Sequence, residues 1–344
     1  MFEEPYFYKK SIFFLAIIGI GLVSRFMYKT DSNFAVAENK GPTSSLAFIA
    51  SDMSSGSGTQ QGFLSENNSV SNTQVFSMNN ISAEQPTVLQ GNVSALQSDA
   101  SAISKLQYEA ALIADLQTGA IYFGNNNNKR WPLASITKLM TATVVMDNFS
   151  MDQAVMITSE AFAADPNEKT LRVGDVYTAS DLLRFLLLPS SNVAAEAFAD
   201  SYGRDRFLSA MNARAIAWGM IRTHYDDPSG LSSGNQSTAD DLLLLAKKIY
   251  SDYPKILPIT RTAQIYVTEL SSEKKVFVKS INDFAGDLDF IGGKTGYTTI
   301  ADGNLLSLFQ YHNRPVLIIV LGTDQAERFT NTEKLYNWYK SQSQ

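Results

Sequence analysis

The composition of the chain changes abruptly near residue 105, and this change limits which part of it can fold. Residues 31–104 are rich in Ser, Asn, Gln, Gly and Thr, and residues 41–104 hold four acids and no Lys or Arg. No period of 2 or 3.6 residues persists there, so the segment cannot bury enough apolar surface to offset its chain entropy. We interpret residues 31–104 as a disordered linker with a root-mean-square reach of roughly 50 Å. The folded domain is therefore expected within residues 105–344.

An apolar run, IFFLAIIGIGLV, lies near the start of the sequence and follows two lysines. We interpret residues 1–30 as a cytoplasmic end and a membrane anchor at about residues 11–28. A cleaved signal peptide that ends at the Ala-Val-Ala of residues 35–37 and a buried core helix remain as alternatives. Because Arg25 and Lys29 separate the apolar run from that cleavage site, the sequence favours an uncleaved anchor.

Composition disfavours several classes of function. The chain has no Cys, which excludes disulfides, thiol catalysis and thiolate metal sites, and it has only two His, His224 and His312. Zinc peptidases use two or three His ligands and a Ser-His-Asp hydrolase needs a His base, so few residues are available for either. The net charge of −6 provides no basic surface for nucleic acid.

The apolar pattern of the folded region predicts a mixed α/β domain. Strand pairs are predicted near both of its ends, in residues 108–124 and 305–323, and a further hairpin in residues 262–280. Because strands lie at both ends, we expect one antiparallel sheet built from the two ends, with helices covering its faces. Helical periodicity is found in residues 136–146, 179–188, 205–220, 238–253 and 326–341.

Ser135 and Lys138 form a Ser-x-x-Lys pair in the apolar stretch PLASITKLMTATVVM. Positions i and i+3 of a helix share a face, so the ammonium can reach the hydroxyl. Burial lowers the pKa of a lysine, which makes it a usable base for an adjacent hydroxyl nucleophile. The alternative is a partly exposed serine beside a lysine that extends to solvent. Two further Ser-x-x-Lys matches, within residues 271–275, lie in a polar turn where solvated charges are expected.

Two more motifs follow along the chain. Ser190 and Asn192 form a Ser-x-Asn motif at a break between helical segments, and a Lys-Thr-Gly lies at residues 294–296 within IGGKTGYTT. Each is weak alone, because an exposed strand lysine beside a glycine turn explains the second equally well. The order Ser-x-x-Lys, Ser-x-Asn, Lys-Thr-Gly is far rarer by chance than any one member.

This order, and stretches such as ALIADLQTGAIYFG, LRVGDVYTASDLLRFLLLPSSNVAAEAFA and DFIGGKTGYTTIADGNLLSL, resemble the penicillin-binding serine D-Ala-D-Ala carboxypeptidases of low molecular mass. The resemblance extends from residue 105 to about 342. It implies a five-stranded antiparallel sheet flanked by helices, as in β-lactamases and transpeptidases, with residues 105–344 as the carboxypeptidase catalytic domain. The sequence departs from the family at Val193, where Asp is usual, and at Trp218, where Leu is usual.

The resemblance implies three catalytic residues. Ser135 would attack the carbonyl of the D-Ala-D-Ala bond and form an acyl-enzyme, and Lys138 would take the serine proton. Ser190 would pass protons between Lys138 and the leaving nitrogen. Lys138 is expected to be the neutral lysine of the site, because of burial and the nearby positive charge of Lys294. Water would then release the acyl group, so that the reaction needs no metal and no cofactor.

The resemblance also implies a set of substrate-binding residues. Asn192 would hold the substrate amide, and Lys294 and Thr295 would bind the terminal carboxylate. Gly296 and Tyr297 complete the set, and Tyr297 would donate its backbone N–H to the oxyanion together with the N–H of the nucleophile. We expect Lys294 to lie charged on an accessible strand.

Alternative activities share these motifs. A class A β-lactamase would need a glutamate after the Ser-x-Asn motif to activate water. Glu168 precedes Ser190, and the later region reads THYDDPSGL, which disfavours this class. A D,D-endopeptidase that cuts peptidoglycan cross-links has the same catalytic parts, and an inactive peptidoglycan-binding relative would keep the fold.

The expected partners are peptidoglycan stem peptides ending in D-Ala-D-Ala, β-lactams as inhibitors, and the plasma membrane through the N-terminal segment, with no nucleic acid. The expected location is the bacterial plasma membrane, spanned once, with the catalytic domain on the extracytoplasmic side. Family members usually carry their anchor at the C-terminus, so the anchor is expected to have moved to the N-terminus here.

Overall fold

The computed structural model describes residue 103 and residues 105–343. The predicted anchor lies outside these residues, as does the predicted linker apart from Ile103. Within the described part of the chain, every helix is too short or too polar to cross a membrane.

Backbone hydrogen bonds define strands and helices throughout this part of the chain. The strands are β1 (Ala110–Asp115), β2 (Ile121–Asn125), β3 (Trp131–Pro132), β4 (Ala154–Met156), β5 (Val176–Thr178), β6 (Gln236–Ser237), β7 (Gln264–Thr268), β8 (Lys275–Lys279), β9 (Phe290–Thr298), β10 (Asp302–Tyr311) and β11 (Arg314–Thr323). The helices are α1 (Lys138–Asn148), α2 (Ser159–Ala163), α3 (Ala179–Leu187), α4 (Asn192–Tyr202), α5 (Arg204–Ala217), α6 (Ala239–Asp252), α7 (Ile256–Arg261) and α8 (Arg328–Gln342), and a 3₁₀ turn (Ala134–Thr137) precedes α1.

One sheet of five antiparallel strands forms the centre of the fold. Its order is β2-β1-β11-β10-β9, so strands from the two ends of the described chain are neighbours. In the pair β1–β11, Ala110 lies opposite Leu321 and Asp115 opposite Val316. The antiparallel sheet predicted from both ends of the chain is therefore confirmed.

Both faces of this sheet are covered. Ile318 and Val320 of β11 pack with Tyr336 and Tyr339 of α8 on one face. Ile319 of the same strand belongs to the larger core, which the other helices form on the opposite face. Because side chains alternate along a strand, a strand that is covered on both faces must be apolar throughout. This explains the run VLIIVL in β11.

Helix α1 lies inside the larger core. Every residue from Lys138 to Val145 is buried. A helix that is apolar on all sides is typical of a core position, so the only cation among these residues sits in an apolar environment. The 3₁₀ turn at the N-terminal end of this helix therefore holds Ser135 on a rigid element.

The helices predicted from periodicity agree with the structure to within three residues at each end. Thr178 and Thr238 accept hydrogen bonds from the backbone N–H groups of Asp181 and Asp241, which determines where α3 and α6 begin. Helices α2 and α7 and the short pairs β3–β6 and β4–β5 have no counterpart in the sequence prediction, because each contains too few residues to show a period. Helix α4 is expected from the sequence only as a helical segment after the break at Ser190, without bounds.

Candidate active site

The three sequence motifs meet at the N-terminal end of α1, beside strand β9. Ser135 is partly exposed in the 3₁₀ turn. The preceding residue, Ala134, has a φ of +47°, a conformation that is uncommon for residues other than glycine. Conformations of this kind cost about 1–3 kcal/mol and persist where the surrounding structure enforces them. The turn that presents Ser135 is therefore held in one conformation by its neighbours.

Lys138 is fully buried and reaches the nucleophile directly. Its Nζ lies 2.9 Å from Ser135 Oγ, 2.7 Å from Asn192 Oδ1 and 2.6 Å from the carbonyl oxygen of Ser229. The first distance is that of a hydrogen-bonded nucleophile and base. The other two contacts hold the amine in place, so the Ser-x-x-Lys pair of the sequence is a pair in space.

Ser190 lies in the loop between α3 and α4, with a φ of +66°. Its hydroxyl accepts a hydrogen bond of 2.8 Å from Lys294 Nζ. Ser191 caps α4 by accepting from the N–H of Ala194, and its own hydroxyl donates to Glu168 Oε2 at 2.8 Å. Val193 is fully buried in the core. The loop is thus braced through Ser191, while the departure at Val193 contributes only packing.

Asn192 has both ends of its side-chain amide occupied. The Oδ1 atom accepts from Lys138, and Nδ2 donates to Asp165 Oδ2 at 3.1 Å. In this structure Asn192 therefore positions Lys138. Its sequence-based role as holder of the substrate amide stays a prediction.

Strand β9 supplies the Lys-Thr-Gly motif. Lys294 Nζ donates to Ser190 Oγ and, at 2.9 Å, to the carbonyl oxygen of Thr295. Lys294 and Thr295 are only 1% and 2% exposed, whereas Tyr297 is 43% exposed. The expectation of an accessible Lys294 is therefore wrong. The strand pairs with β10 and also contacts helix α7 and the Ser135 turn, and its Lys294 reaches the Ser190 loop.

Gly296 allows β9 to approach the nucleophile. A Cβ atom at this position would lie 2.8 Å from the carbonyl oxygen of Leu133 and 3.2 Å from Ala134 Cβ. Any larger residue would separate the strand from the turn. The backbone just before Tyr297 therefore lies directly against the turn that carries Ser135, which is the arrangement required for a shared oxyanion site.

The two buried lysines have different electrostatic environments. Burial lowers the pKa of Lys138 to about 7, and the carboxylates of Asp227, Glu196 and Asp165 act in the opposite direction. Burial also lowers the pKa of Lys294, and here the charges of Lys138 and Arg328 lower it further, to well below its usual value. The expected lowering of the Lys138 pKa by burial is thus supported. The expectation that Lys294 keeps its charge is not supported in the free protein, because the acids surround Lys138 and the cations surround Lys294.

Several residues of the site were not predicted from the sequence, and Asp227 is the first of them. Asp227 accepts hydrogen bonds from the backbone N–H groups of Ser229, Gly230 and Ser232 at 2.5–2.7 Å. These bonds fold the loop DDPSGLSSG and direct the Ser229 carbonyl towards Lys138. The Asp-Pro-Ser-Gly sequence signals a turn, but no local pattern tells which side chain that turn faces.

Gly230 completes this packing. Its φ is +88°, and a Cβ atom there would lie 1.9 Å from the carbonyl oxygen of Ala134. Only glycine permits both the conformation and the contact. The loop consequently presses against the residue that precedes the nucleophile.

A cavity of about 540 Å³ adjoins the exposed end of the site. It is lined by Tyr297, by the carboxylates of Asp283, Asp302 and Asp324, and by Arg328. Arg328 is 8% exposed and donates to the carbonyl oxygen of Gly296 at 3.3 Å, while its Nε has no hydrogen-bond partner. The cavity thus extends the site beyond the residues that the motifs identify.

The structure does not bring the other Ser-x-x-Lys matches together. Ser272 Oγ donates to Glu269, and Lys275 Nζ donates to Thr268. Glu168 was disfavoured as a water-activating glutamate because it precedes Ser190 in the sequence. It does lie beside the Ser190 loop, but its carboxylate accepts hydrogen bonds from the Ser191 hydroxyl and from the N–H of Thr170. Among residues 105–343, no cluster of His, Asp and Glu could hold a metal ion.

The sequence and the structure are both similar to those of known D-alanyl-D-alanine peptidases and penicillin-binding proteins. A sequence model of the D-alanyl-D-alanine carboxypeptidase family matches residues 95–325. A D-alanyl-D-alanine endopeptidase of Pseudomonas aeruginosa is 32% identical over 241 residues, which cover 67% of this chain and 77% of that protein. A D-alanyl-D-alanine carboxypeptidase structure from Mycobacterium tuberculosis is 27% identical with a TM-score of 0.64, covering 69% of this chain and 92% of that chain. The ampicillin-bound penicillin-binding protein D2 of Listeria monocytogenes is 28% identical with a TM-score of 0.58, covering 68% and 98%.

Proposed function

The chain belongs to the D-alanyl-D-alanine carboxypeptidase family of serine-type peptidases, and we propose that it removes the terminal D-alanine of peptidoglycan stem peptides through an acyl-enzyme on Ser135. The observation that carries this proposal is the 2.9 Å contact between Lys138 Nζ and Ser135 Oγ. A hydroxyl and a buried amine at this distance are the nucleophile and base that acyl transfer requires.

Acylation uses the proton equilibrium of Lys138. With a pKa of about 7, roughly half of the amine is neutral at pH 7 and can accept the Ser135 proton as Oγ attacks the carbonyl carbon. The oxyanion would be bound by the backbone N–H groups of Ser135 and Tyr297. As the C–N bond breaks, Ser190 would deliver a proton to the leaving nitrogen. Water would then hydrolyse the ester and regenerate Ser135.

The terminal carboxylate of the substrate fits the second lysine. Lys294 is buried beside Arg328 and beside the ammonium form of Lys138, so an arriving carboxylate would supply the opposite charge. That charge would raise the pKa of Lys294 and favour its ammonium form. Substrate binding and the positive charge of this lysine are therefore coupled, and Thr295 adds a hydroxyl donor.

A second candidate activity is D,D-endopeptidase cleavage of cross-links. The Pseudomonas aeruginosa relative is named an endopeptidase. The cavity beside Tyr297 is also larger than a single alanine requires. Cross-linked substrates carry a whole peptide on the leaving nitrogen, and such a cavity offers room for part of it.

Two experiments test these activities. A β-lactam should leave a stable acyl group on the peptide that contains Ser135, and Ser135→Ala should abolish both labelling and hydrolysis. Mapping of the adduct to Ser271 or Ser272 would contradict the assignment. Digestion of purified muropeptides, followed by mass spectrometry, separates loss of one D-alanine from cleavage of dimers. Labelling without either product would indicate an inactive relative.

The location of the protein is part of the proposal. An uncleaved anchor at about residues 11–28 would hold the catalytic domain outside the plasma membrane, where peptidoglycan lies. The apolar run and the basic residues after it support this assignment. Recovery of a soluble protein whose N-terminus lies near Glu38 would refute it.

A further inference from the structure

The hairpin of β7 and β8 has one buried face and one face exposed to solvent. Val267 and Val278 are each 2% exposed and belong to the larger core. On the opposite face Tyr266 is 65% and Phe277 45% exposed, and their rings lie 5.2 Å apart across the two strands. Large exposed aromatic side chains that touch each other are typical of interaction surfaces.

The same face continues as a strip along β8. Lys275, Phe277, Lys279 and Ile281 follow each other at two-residue spacing, and all four are exposed. Tyr266 lies opposite Phe277 in the strand register. We call these five residues the aromatic strip. It presents two aromatic rings between two lysines, on a chain whose net charge is −6.

The strip ends at the active site. The backbone N–H of Ile281 donates to the carbonyl oxygen of Leu188 at 3.1 Å, two residues before Ser190. Ile281 and Tyr297 also line the same cavity of about 540 Å³. The strip therefore reaches the Ser190 loop and the cavity beside Tyr297, at the edge of the site that the motif residues form.

We propose that the aromatic strip binds the glycan strand of peptidoglycan while a stem peptide of the same strand occupies the active site. This inference rests on the proposed function. Ring faces of Tyr and Phe suit the apolar faces of sugar rings. The two lysines complement the carboxylates of neighbouring stem peptides.

The dimensions agree with this arrangement. Phe277 lies four residues from Ile281, which is about 13 Å along an extended strand. A stem peptide of about five residues spans at most roughly 17 Å. The segment from Phe277 to Ile281 is therefore comparable in length to a stem peptide.

The same side-chain types, Tyr, Phe and Lys, also occur where proteins touch a lipid surface. Continuity with the catalytic cleft favours the glycan, because a bilayer seated there would cover the entrance that the substrate uses. The experiment must therefore distinguish binding of the glycan from contact with a lipid surface.

The test compares two substrates for the full chain in detergent. In a Tyr266→Ala/Phe277→Ala double variant, kcat/KM for a soluble D-Ala-D-Ala peptide should stay within about twofold of the wild-type value, while the apparent KM for isolated sacculi should rise about tenfold. Tyr250→Ala, which removes a ring that is 39% exposed outside the strip, is the matched control and should change neither. Equal losses on both substrates, or no loss on sacculi, would overturn the proposal.

Binding is measured separately from catalysis. Ser135→Ala chains with and without the double substitution are pelleted with sacculi, and the double substitution should weaken pelleting about tenfold. This arm remains informative even if the wild type hydrolyses neither substrate, in which case the proposed function fails and the strip does not. Hydrogen exchange across residues 264–281 completes the test: protection by added glycan strands supports the proposal, and protection by phosphatidylglycerol vesicles alone refutes it.

Discussion

The assignment of Lys138 as the base predicts a pH dependence of acylation. Its pKa of about 7 results chiefly from burial, and only the neutral amine can accept the Ser135 proton. The neutral fraction at this pKa is about 10% at pH 6, about half at pH 7 and about 90% at pH 8. The second-order rate constant for acylation by a fluorescent penicillin should therefore rise about tenfold from pH 6 to pH 8, with its midpoint near pH 7.

Asp165→Asn is the perturbation that tests the cause of this pKa. The carboxylate of Asp165 raises the pKa of Lys138. Asparagine keeps an oxygen that can accept from Asn192 Nδ2 but removes the charge. The pKa of Lys138 should therefore fall, and the midpoint of the acylation profile should move to lower pH.

The size of the pKa shift of Lys138 follows from the distance between its ammonium group and the Asp165 carboxylate. Hydrogen bonds of 3.1 and 2.7 Å join Asp165 and Lys138 through the amide of Asn192. The two charges are therefore at most about 8 Å apart, which corresponds to about 0.5 kcal/mol in bulk water and about 2 kcal/mol at an effective dielectric constant of 20. The midpoint should fall by about 0.4–1.5 pH units, so the variant should acylate about two- to eightfold faster than wild type at pH 6 and equally fast at pH 8.

The assay is the time course of labelling by one fluorescent penicillin, followed on gels between pH 5.5 and 8.5. This range extends about 1.5 pH units to either side of the Lys138 pKa and so covers most of its titration. Asp205→Asn removes the same charge from an exposed position on α5 and should leave the profile unchanged. A midpoint for Asp165→Asn that stays in place or moves to higher pH would refute the electrostatic argument. A flat wild-type profile would refute the role of Lys138.

Three further predictions concern single residues. Lys138→Arg should slow acylation by about 10²–10⁴-fold, because a guanidinium stays charged and cannot act as a base; labelling at the wild-type rate would contradict this. Gly296→Ala should slow acylation by about 10²–10³-fold, because the new Cβ forces β9 away from the Ser135 turn and so disturbs the oxyanion site. Its circular-dichroism melting curve should stay cooperative, and wild-type labelling would show that the close approach is dispensable. Ile319→Ala should lower the free energy of unfolding in urea by about 2–5 kcal/mol, since Ile319 is fully buried in the larger core; an unchanged midpoint would place that side chain outside the core.

Local patterns predicted the elements that are long enough to have a period. The hairpins at both ends and the helices around the core follow from alternation and helical spacing, and Ser135 meets Lys138 because i and i+3 share a face. The small strand pairs are only two or three residues long. Such elements form because the chain on either side of them is already placed, so no periodicity could reveal them.

The electrostatics of the site could not be predicted in the same way. Asp165, Glu196 and Asp227 come from three separate parts of the chain, and their effect on Lys138 exists only after folding. Lys294 stands in a glycine-rich strand that resembles an exposed edge, yet neighbouring segments cover it to 1% exposure. Charge in this site is a tertiary property, whereas the identity of the nucleophile is a local one.

The pairing of β1 with β11 has a consequence for biosynthesis. Ala110 can pair with Leu321 only after Leu321 has been synthesised, and these residues are separated by almost the whole described chain. Until β11 leaves the ribosome, the apolar strand β1 has only the short strand β2 as a partner. Contacts between such distant segments also slow folding, because a long loop must close first. The central sheet can therefore be completed only after residue 323 has been synthesised, and a nascent chain cut before residue 314 would expose the interior edge of its own core.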